Sequence, residues 1–432
     1  MRSCNYETCR NGPGYIGLPT AVMFARHGVQ VHGVDINEHV IETLKNKTLH
    51  IEEPGLGEML VEAIDSGHLT FGTEPVSADG FIIAVPTPVN PDKTANLNYV
   101  RSAAKMIQPL LKEGNLVILE STSPPGTTLK VLSPILESSG LKVGKDLYVA
   151  YSPERVLPGK LLDELVHNNR IVGGVNADSS IMTERIYKIF VKGMIHQTDA
   201  TTAEMVKLME NTYRDVNIAL ANELARIAEQ VGCDIWKAVE LANCHPRVNV
   251  HSPGPGVGGH CIAVDPWFLV EASPGDAKLI QTARAINDDV PKRIANQIKV
   301  RTEGVANPKV SLLGLAYKGN IGDARESPSL TILQELEDME IECAVHDPYV
   351  VDKRIKNQFD TVEETVRHSD CLIILTDHNE YKALDLKSLA PLMRHTLLYD
   401  TKNLINKEQA ESAGFRYEKV GESQINTNLL HL

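Results

Sequence analysis

Cysteine is sparse, long apolar runs are missing and positive charge is in deficit, and each shortage removes a class of function. Seven cysteines, at 4, 9, 233, 244, 261, 343 and 371, are scattered over 432 residues. That is too few for a disulfide scaffold, and no Cys/His spacing suits a metal, so Cys4 and Cys9 read as free thiols and no metal centre is expected. No stretch approaches the ~18 apolar residues of a membrane span. The opening residues Met1 to Glu7 carry no apolar signal segment, so a cytoplasmic location and no membrane partner are expected. With 43 Lys and Arg against 56 Asp and Glu, the formal net charge is -13. Nucleic-acid binding needs a basic face and is not expected. A few local Arg and Lys residues can still line a pocket for an anionic small molecule.

What is present is a repeated alternation of short apolar runs and helical patterns. Val29–Val34, Gly80–Val85, Leu116–Glu120, Leu147–Ala150 and Ile171–Gly173 read as strands, with helix-type segments between them. This order predicts a parallel sheet with helices on both faces. Val206, Met209, Tyr213, Val216, Leu220, Leu224, Ile227 and Val231 then recur at spacings of three and four, which is one face of a helix. Thr201 with Glu204 resembles a capping box at its start, and Gly232 is placed to end it. About 29 residues at 1.5 Å each make a helix of ~43 Å, a length suited to joining domains or building a dimer core. A second helical run covers Asp276 to Arg301, with Pro291 expected to kink or divide it. A second alternation follows: strand Lys309–Leu315, helix Ser329–Met339, and strands Ile341–His346, Cys371–Thr376 and Thr396–Asp400. The fold class expected is α/β, with two Rossmann-like doubly wound domains joined by a long central helix. The domains are read as 1–200, a central helical, dimerisation and catalytic-loop region at 201–303, and 304–432.

Gly12-Pro13-Gly14-Tyr15-Ile16-Gly17 matches the G-x-G-x-x-G pattern, a helix-like run follows, and Asp35 ends the next strand 18 residues after Gly17. Glycines let the backbone approach a pyrophosphate, the helix N-terminus favours its charge, and an acidic residue at that distance suits ribose hydroxyls over a 2′-phosphate. NAD is therefore the expected cofactor, with Gly12, Gly14 and Gly17 in its loop. One feature runs against this. Residues 3 to 11 read SCNYETCRN where a buried strand should stand. A poor, edge-like or disordered first strand, or a corrupted reading frame, is the expectation there.

Residues 252 to 267, SPGPGVGGHCIAVDPW, form the second strong region. Gly254, Gly256, Gly258 and Gly259 lead into His260-Cys261, with Asp265 four residues on. Such a run is either a flexible surface loop or a loop folded over a ligand, and the adjoining Cys, Asp and Pro-Trp favour the second. Cysteine is more often a buried hydrophobe than a nucleophile; its place beside this loop singles Cys261 out. On the long helix Lys207, Asn211 and Arg214 stand at i, i+4 and i+7, one stripe at the rim of the core. A solvated face is the ordinary reading of such a stripe. Here Lys207 and Asn211 are candidates for a donor pair over a reacting oxygen.

The segments GPGYIGLPTA, AVPTPV, ESTSPPGTT, YSPERVLPG, AEMVKLMENTYRDVNIALANELARIAE, GPGVGGHCIAVDPW and GLAYKGNIGDARESP together resemble the UDP-glucose/GDP-mannose dehydrogenase family over nearly the whole chain. ENTYRDVNIALANELA and HPRVNVHSPGPGVGGHCIAVDPWFL are most similar to the branch that oxidises UDP-N-acetyl-D-mannosamine. The segment before Gly12 departs from the apolar strand usual in the family. The resemblance implies a homodimer built on the long helix and a UDP-sugar substrate destined for polysaccharide or glycan synthesis. It implies cofactor contacts from Tyr15, Ile16, Asp35, Thr87, Thr122 and Arg325. It implies substrate contacts from Arg155, Val156, Lys207, Asn211, Arg214, His245, Arg247, Gly258, Lys318 and Lys402. The reaction it implies is a four-electron oxidation of a sugar CH2OH to a carboxylate through a Cys261 thiohemiacetal and thioester. Lys207 or a water held by Asp265 would be the base, and Asp265 or Glu154 would orient the hydrolytic water. The competing readings are the same chemistry on UDP-glucose, UDP-N-acetylglucosamine or GDP-mannose, a two-electron hydroxyacid dehydrogenase, and a nucleotide-sugar-binding protein with an impaired NAD site.

Overall fold

Each apolar run noted in the first half of the chain is a strand. A computed structural model describes residues 3–7, 17–49, 51, 53–157, 159–352 and 354–422, with residues 3–7 described as backbone. The chain divides into two units: Met1–Glu210 with Trp267–Asp276, and Asn211–Pro266 with Ala277–Leu432. The first unit holds strands β1 (Ser3–Glu7), β2 (Gln30–Val34), β3 (Leu69–Gly72), β4 (Gly80–Ile83), β5 (Leu116–Leu119), β6 (Tyr148–Tyr151), β7 (Arg170–Gly174) and β8 (Ile195–Asp199). They form one sheet in the order β3-β2-β1-β4-β5-β6-β7-β8. Pairing is parallel except between β6 and β7. All four residues of β4 and of β5 are buried, as the continuous runs GFII and LVIL require when helices cover both faces.

The expectation of a poor, edge-like or disordered first strand is not met. β1 is central, and its backbone pairs in register with β2 from Ser3↔Gln30 to Glu7↔Val34, and with β4 from Cys4↔Gly80 to Glu7↔Ile83. Sheet pairing uses backbone N–H and C=O groups, which every one of these five residues supplies whatever its side chain. The chain runs β1, β2, β3 toward one edge and then crosses back to place β4 against β1. That reversal makes a crevice at the C-terminal ends of β1 and β4, where doubly wound sheets bind ligands. Residues 8–16, with Cys9, Gly12, Gly14, Tyr15 and Ile16, lie outside the described residues; Gly17 opens the helix Gly17–Arg26.

The second unit carries a five-stranded parallel sheet: β9 (Lys309–Leu313), β10 (Glu342–His346), β11 (Cys371–Ile374), β12 (Leu397–Asp400) and β13 (Arg416–Lys419), in the order β10-β9-β11-β12-β13. β3, β8 and β13 have no counterpart among the apolar runs. β8 (IHQTD) and β13 (RYEK) are edge strands whose polar sequences carry no periodic signal.

The long helix runs Ala200–Val231 and stops at Gly232, whose φ of 84° suits glycine. Its start differs from the expected capping box. Asp199 caps it, accepting from the N–H and hydroxyl of Thr202 at 2.9 and 2.6 Å. Glu204 is instead buried and accepts from the Gly126 N–H (2.5 Å), the Thr128 N–H (2.7 Å) and the Thr128 hydroxyl (2.6 Å). The faces also differ from expectation. None of the eight apolar stripe residues from Val206 to Val231 is buried. The buried side carries Ala203, Leu208, Ala219, Ala221, Ala225 and Ala228 together with Asn211, Asp215 and Asn222. The second long helix, Lys278–Arg301, continues undivided through Pro291. Among the described residues no helix is long and apolar enough to cross a membrane.

A buried charge cluster braces the first sheet. Arg170, on β7, donates to Glu120 (2.9 Å), pairs with Glu154 (3.0 Å) and lies 3.8 Å above the Tyr187 ring. The Tyr187 hydroxyl donates to the same Glu120 oxygen at 2.5 Å. Burial works against the Arg170 charge, and Glu154, Tyr187 and Glu120 more than offset it, so the guanidinium is held above its ordinary range. Removing one partner of a buried ion pair leaves the other charged and unpaired. Arg170→Met is therefore expected to cost about 3–5 kcal/mol of stability, read as a lowered midpoint in chemical or thermal unfolding; an unchanged midpoint would contradict the role given to the cluster.

Candidate active site

In the first unit, the loop ends at the sheet crevice carry the residues expected to hold a dinucleotide. Asp35 follows β2, is buried, and accepts from the Asn37 N–H at 2.8 Å. The Thr87 hydroxyl donates to the Thr122 carbonyl at 2.5 Å, which joins the loops after the neighbouring strands β4 and β5. Helix Gly17–Arg26 has no acidic residue in its first turn, so nothing there opposes a phosphate. A buried carboxylate at the tip of β2, hydroxyl-bearing loops across the switch point and a helix with no acidic residue in its first turn fit NAD and disfavour a 2′-phosphate. Glu204 holds the 126–128 turn that follows Thr122 in the chain. Burial raises its carboxyl pKa against the three bonds from Thr128 and Gly126 that lower it.

Four further expected residues lie in this unit. Glu154 is buried, accepts the Arg155 N–H at 2.9 Å and pairs with Arg170. Arg155 is engaged through all three nitrogens: Nε with Glu210 at 3.0 Å, Nη2 with Glu210 at 2.5 Å and Nη1 with the Asn169 carbonyl at 3.0 Å. Val156, partly buried, packs on the core of the sheet. Lys207 is partly buried on the long helix, one turn before Asn211.

In the second unit, Cys261 is exposed on a turn that leads into helix Asp265–Ala272. Its carbonyl accepts the N–H groups of Val264 (3.1 Å) and Asp265 (2.8 Å). The Asp265 carboxylate is buried and accepts from Asn211 Nδ2 at 2.5 Å, while Asn211 Oδ1 accepts from Arg214. Asn211 is 1% exposed, so it sits inside the core, while Arg214 is exposed; the even rim position expected for both does not hold. One of the two Asn211 amide hydrogens is committed to Asp265.

The glycine run is packed against the 317–328 segment. A methyl on Gly258 would lie 2.6 Å from the Glu326 carbonyl and 2.7 Å from Tyr317 Cβ, and Gly259 has a φ of 81° with Tyr317 carbons 2.9 Å from any added Cβ. The Gly259 N–H donates to the Arg325 carbonyl at 3.2 Å, and the Arg325 guanidinium is held by Asp323 at 2.8 and 2.6 Å. Lys318, partly buried, adjoins Tyr317. Lys402 points toward the start of the run, with Nζ 3.8 Å from an added Gly254 Cβ and 3.8 Å from Asp377 Oδ1. Burial lowers its pKa, with Asp377 and Asp400 opposing that shift. Cys261, Asp265, Asn211, Arg214, Gly258 and Arg325 thus form one connected set. His245 and Arg247 stand outside it, exposed on a loop closed by Asn243, which bonds both the N–H and the C=O of Val250. Sequence reasoning missed Arg170 and Asn222 and read Glu204 as part of a helix cap; only the lone polar character of the first two inside strand or helical patterns hinted at a buried role.

Three regions match models of one family: the UDP-glucose/GDP-mannose dehydrogenase NAD binding domain over 7–191, its central domain over 201–289 and its UDP binding domain over 311–407. The UDP-N-acetyl-D-mannosamine dehydrogenase of Methanococcus maripaludis is 46% identical over 424 residues, covering 96% of this chain and 97% of that protein. The NDP-N-acetyl-D-galactosaminuronic acid dehydrogenase of Ralstonia solanacearum is 43% identical over 393 residues, covering 88% and 92%. Among solved structures, the UDP-D-ManNAc dehydrogenase of Pyrococcus horikoshii matches with a TM-score of 0.91 at 41% identity, covering 98% of this chain and 100% of that one.

Because Gly258 has backbone on one side and Tyr317 on the other, it cannot gain a side chain without moving the loop. Gly258→Ala is expected to lower kcat/KM by about 10²-fold, the scale of a 1 Å misplacement, with the circular dichroism spectrum retained; steady-state kinetics at parental values would show that the loop tolerates the shift.

Proposed function

Because the chain belongs to the UDP-glucose/GDP-mannose dehydrogenase family, we propose that it oxidises C6 of UDP-N-acetyl-D-mannosamine to the carboxylate, with Cys261 as the covalent nucleophile. The broader class is not in question: this is an NAD-dependent nucleotide-sugar dehydrogenase. The observation that carries the finer reading is the linkage of an exposed Cys261, through its carbonyl, to Asp265, whose buried carboxylate is held by Asn211. A dehydrogenase that stops at the aldehyde needs no thiol; one that proceeds to the acid gains a means of retaining the aldehyde covalently.

Gly12, Gly14, Tyr15, Ile16, Gly17, Asp35, Thr87, Thr122 and Arg325 would hold NAD. Bound NAD supplies a hydride acceptor for each of the two oxidations. The chain's own residues do the rest. Lys207, or a water held by Asp265, takes the C6 hydroxyl proton. The Cys261 thiolate adds to the aldehyde carbon and forms a C–S bond, giving a thiohemiacetal that is oxidised to a thioester. Water attacks the thioester carbon, the C–S bond breaks, and the acid leaves with Cys261 restored. Asp265 or Glu154 accepts the water's proton. Glu154 is already tied to Arg170, which favours Asp265. Lys207 and the remaining Asn211 N–H stabilise the oxyanions. Arg155, Val156, Arg214, His245, Arg247, Gly258, Lys318 and Lys402 contact the sugar nucleotide in this reading, Arg155 and Val156 mainly through backbone given how fully the Arg155 side chain is engaged.

The choice of sugar rests on the run of relatives named for UDP-N-acetyl-D-mannosamine at 46% identity. The dimer rests on the outward apolar stripe. Met209, Tyr213, Leu220, Ile227 and Val231 are exposed along one face of the long helix, Val231 at 68%. An apolar stripe of this kind marks an interaction surface, and a second copy offers the same stripe in an isologous contact.

With excess NAD, the purified protein is expected to form about two NADH per UDP-N-acetyl-D-mannosamine consumed, the count a four-electron oxidation requires, and to turn over UDP-glucose, UDP-N-acetylglucosamine and GDP-mannose more slowly. Cys261→Ala should make no acid; normal acid formation by that variant would sink the mechanism. Light scattering should return twice the chain mass, and Leu220→Glu, which sets a charge in the centre of the stripe, should return one chain mass. A parent that is monomeric would remove the dimer from the proposal.

A further inference from the structure

The buried side of the long helix holds a line of polar groups that ends on the loop carrying Cys261. Arg284, on helix Lys278–Arg301, donates to Asp215 Oδ1 at 2.6 Å. Asn287, one turn on, donates through Nδ2 to the same oxygen at 2.8 Å and to the Asp215 carbonyl at 3.0 Å. Asn222 Nδ2 donates to Asn287 Oδ1 at 3.2 Å, and Asn222 Oδ1 accepts the Gly254 N–H at 3.0 Å. All four side chains are at most 3% exposed.

The direction of this line is forced. A guanidinium only donates, and an ionised carboxylate only accepts. Asp215 therefore requires Asn287 to present its NH2 and to turn its Oδ1 toward Asn222. That in turn requires Asn222 to present its NH2 to Asn287 and its Oδ1 to the loop. Over 253–255 the loop has a single backbone donor to meet it: Gly254 lies between Pro253 and Pro255, and proline has no N–H.

We infer that Asn222 is a positioning residue for the nucleophile loop, fixing its start as the Asn211 contact to Asp265 fixes its end. Asn211 and Asn222 are eleven residues apart on one helix, a rise of ~16 Å, so a single rigid element grips both ends of the segment that bears Cys261. Arg284 acts at the far end of the line by setting which atom of Asn222 faces the loop. This rests on reading Cys261 as the nucleophile.

Asn222→Leu keeps the volume and removes both bonds. Its kcat is expected to fall about 10²-fold, the scale of a small misplacement of a reacting group, with KM for UDP-N-acetyl-D-mannosamine changed less than about threefold, because Asn222 itself is not among the residues assigned to the sugar nucleotide. The rate of Cys261 alkylation by iodoacetamide in the protein without substrate, followed by peptide mass mapping, is expected to shift by more than about threefold as thiol exposure and surroundings change. A folded Asn222→Leu protein with parental kcat and parental alkylation rate overturns the proposal, as does a loss confined to KM. If the leucine variant does not fold, Asn222→Ser, too short to reach both partners, carries the same expectations and the same overturning result. The alkylation readout does not depend on the chemistry: acid formation by Cys261→Ala alongside a shifted alkylation rate would refute the nucleophile reading and leave the positioning role standing.

Discussion

The hydrogen bond from Asn211 to Asp265 is the contact on which the rest of the second unit's site depends. It joins the buried side of the long helix to the first residue of helix Asp265–Ala272, and the Cys261 carbonyl accepts the Asp265 N–H one turn earlier. A buried carboxylate without a donor would cost several kcal/mol, so the amide of Asn211 is both a structural requirement and the means by which the loop end is held. The carboxylate is buried, and the amide of Asn211 on the long helix is one of the donors that compensates it there.

The same logic recurs wherever a polar side chain enters an apolar layer. Glu204 replaces solvent for the 126–128 turn, Arg170 pairs with both Glu120 and Glu154 behind the first sheet, and Asp215 is matched by Arg284 and Asn287. In each case an acceptor is paired with donors fixed on a different element, which locks the two elements in register. Alanines fill the remaining positions on the buried face of the long helix, where small side chains let neighbouring backbone approach. Leu208 is the large apolar residue on the buried face, and Met209, Tyr213, Leu220, Ile227 and Val231 are exposed.

Much of the fold was legible because its signals are local. Gly80–Ile83 and Leu116–Leu119 are short, wholly apolar strands, and Gly232 is a helix stop that needs a positive φ. Edge strands β8 and β13 were not legible, since an edge strand needs no apolar alternation. The first strand was read as doubtful for the opposite reason: its side chains are polar, yet pairing is a backbone property and the neighbours β2 and β4 supply the partners. The capping role of Glu204 was misassigned because Asp199 lies three residues before Thr202 and captures the helix start first, leaving Glu204 for a partner remote in sequence.

Residue chemistry and spacing alone therefore determined the class of protein: two sheet-and-helix domains, a glycine motif with Asp35 for NAD, and a cysteine set in a glycine run beside Asp265. Tertiary structure decided the rest, namely which face of the long helix is buried, that Asn211 bonds Asp265 and Arg214, that Arg155 is engaged by Glu210, and that Asn222 meets Gly254. The division has a physical cause. Periodicity and turn chemistry depend on neighbours a few residues away, whereas the partner of a buried polar atom is set by whichever complementary group the fold brings within about 3 Å, and helical spacing by itself does not say whether an apolar stripe faces a core or another molecule.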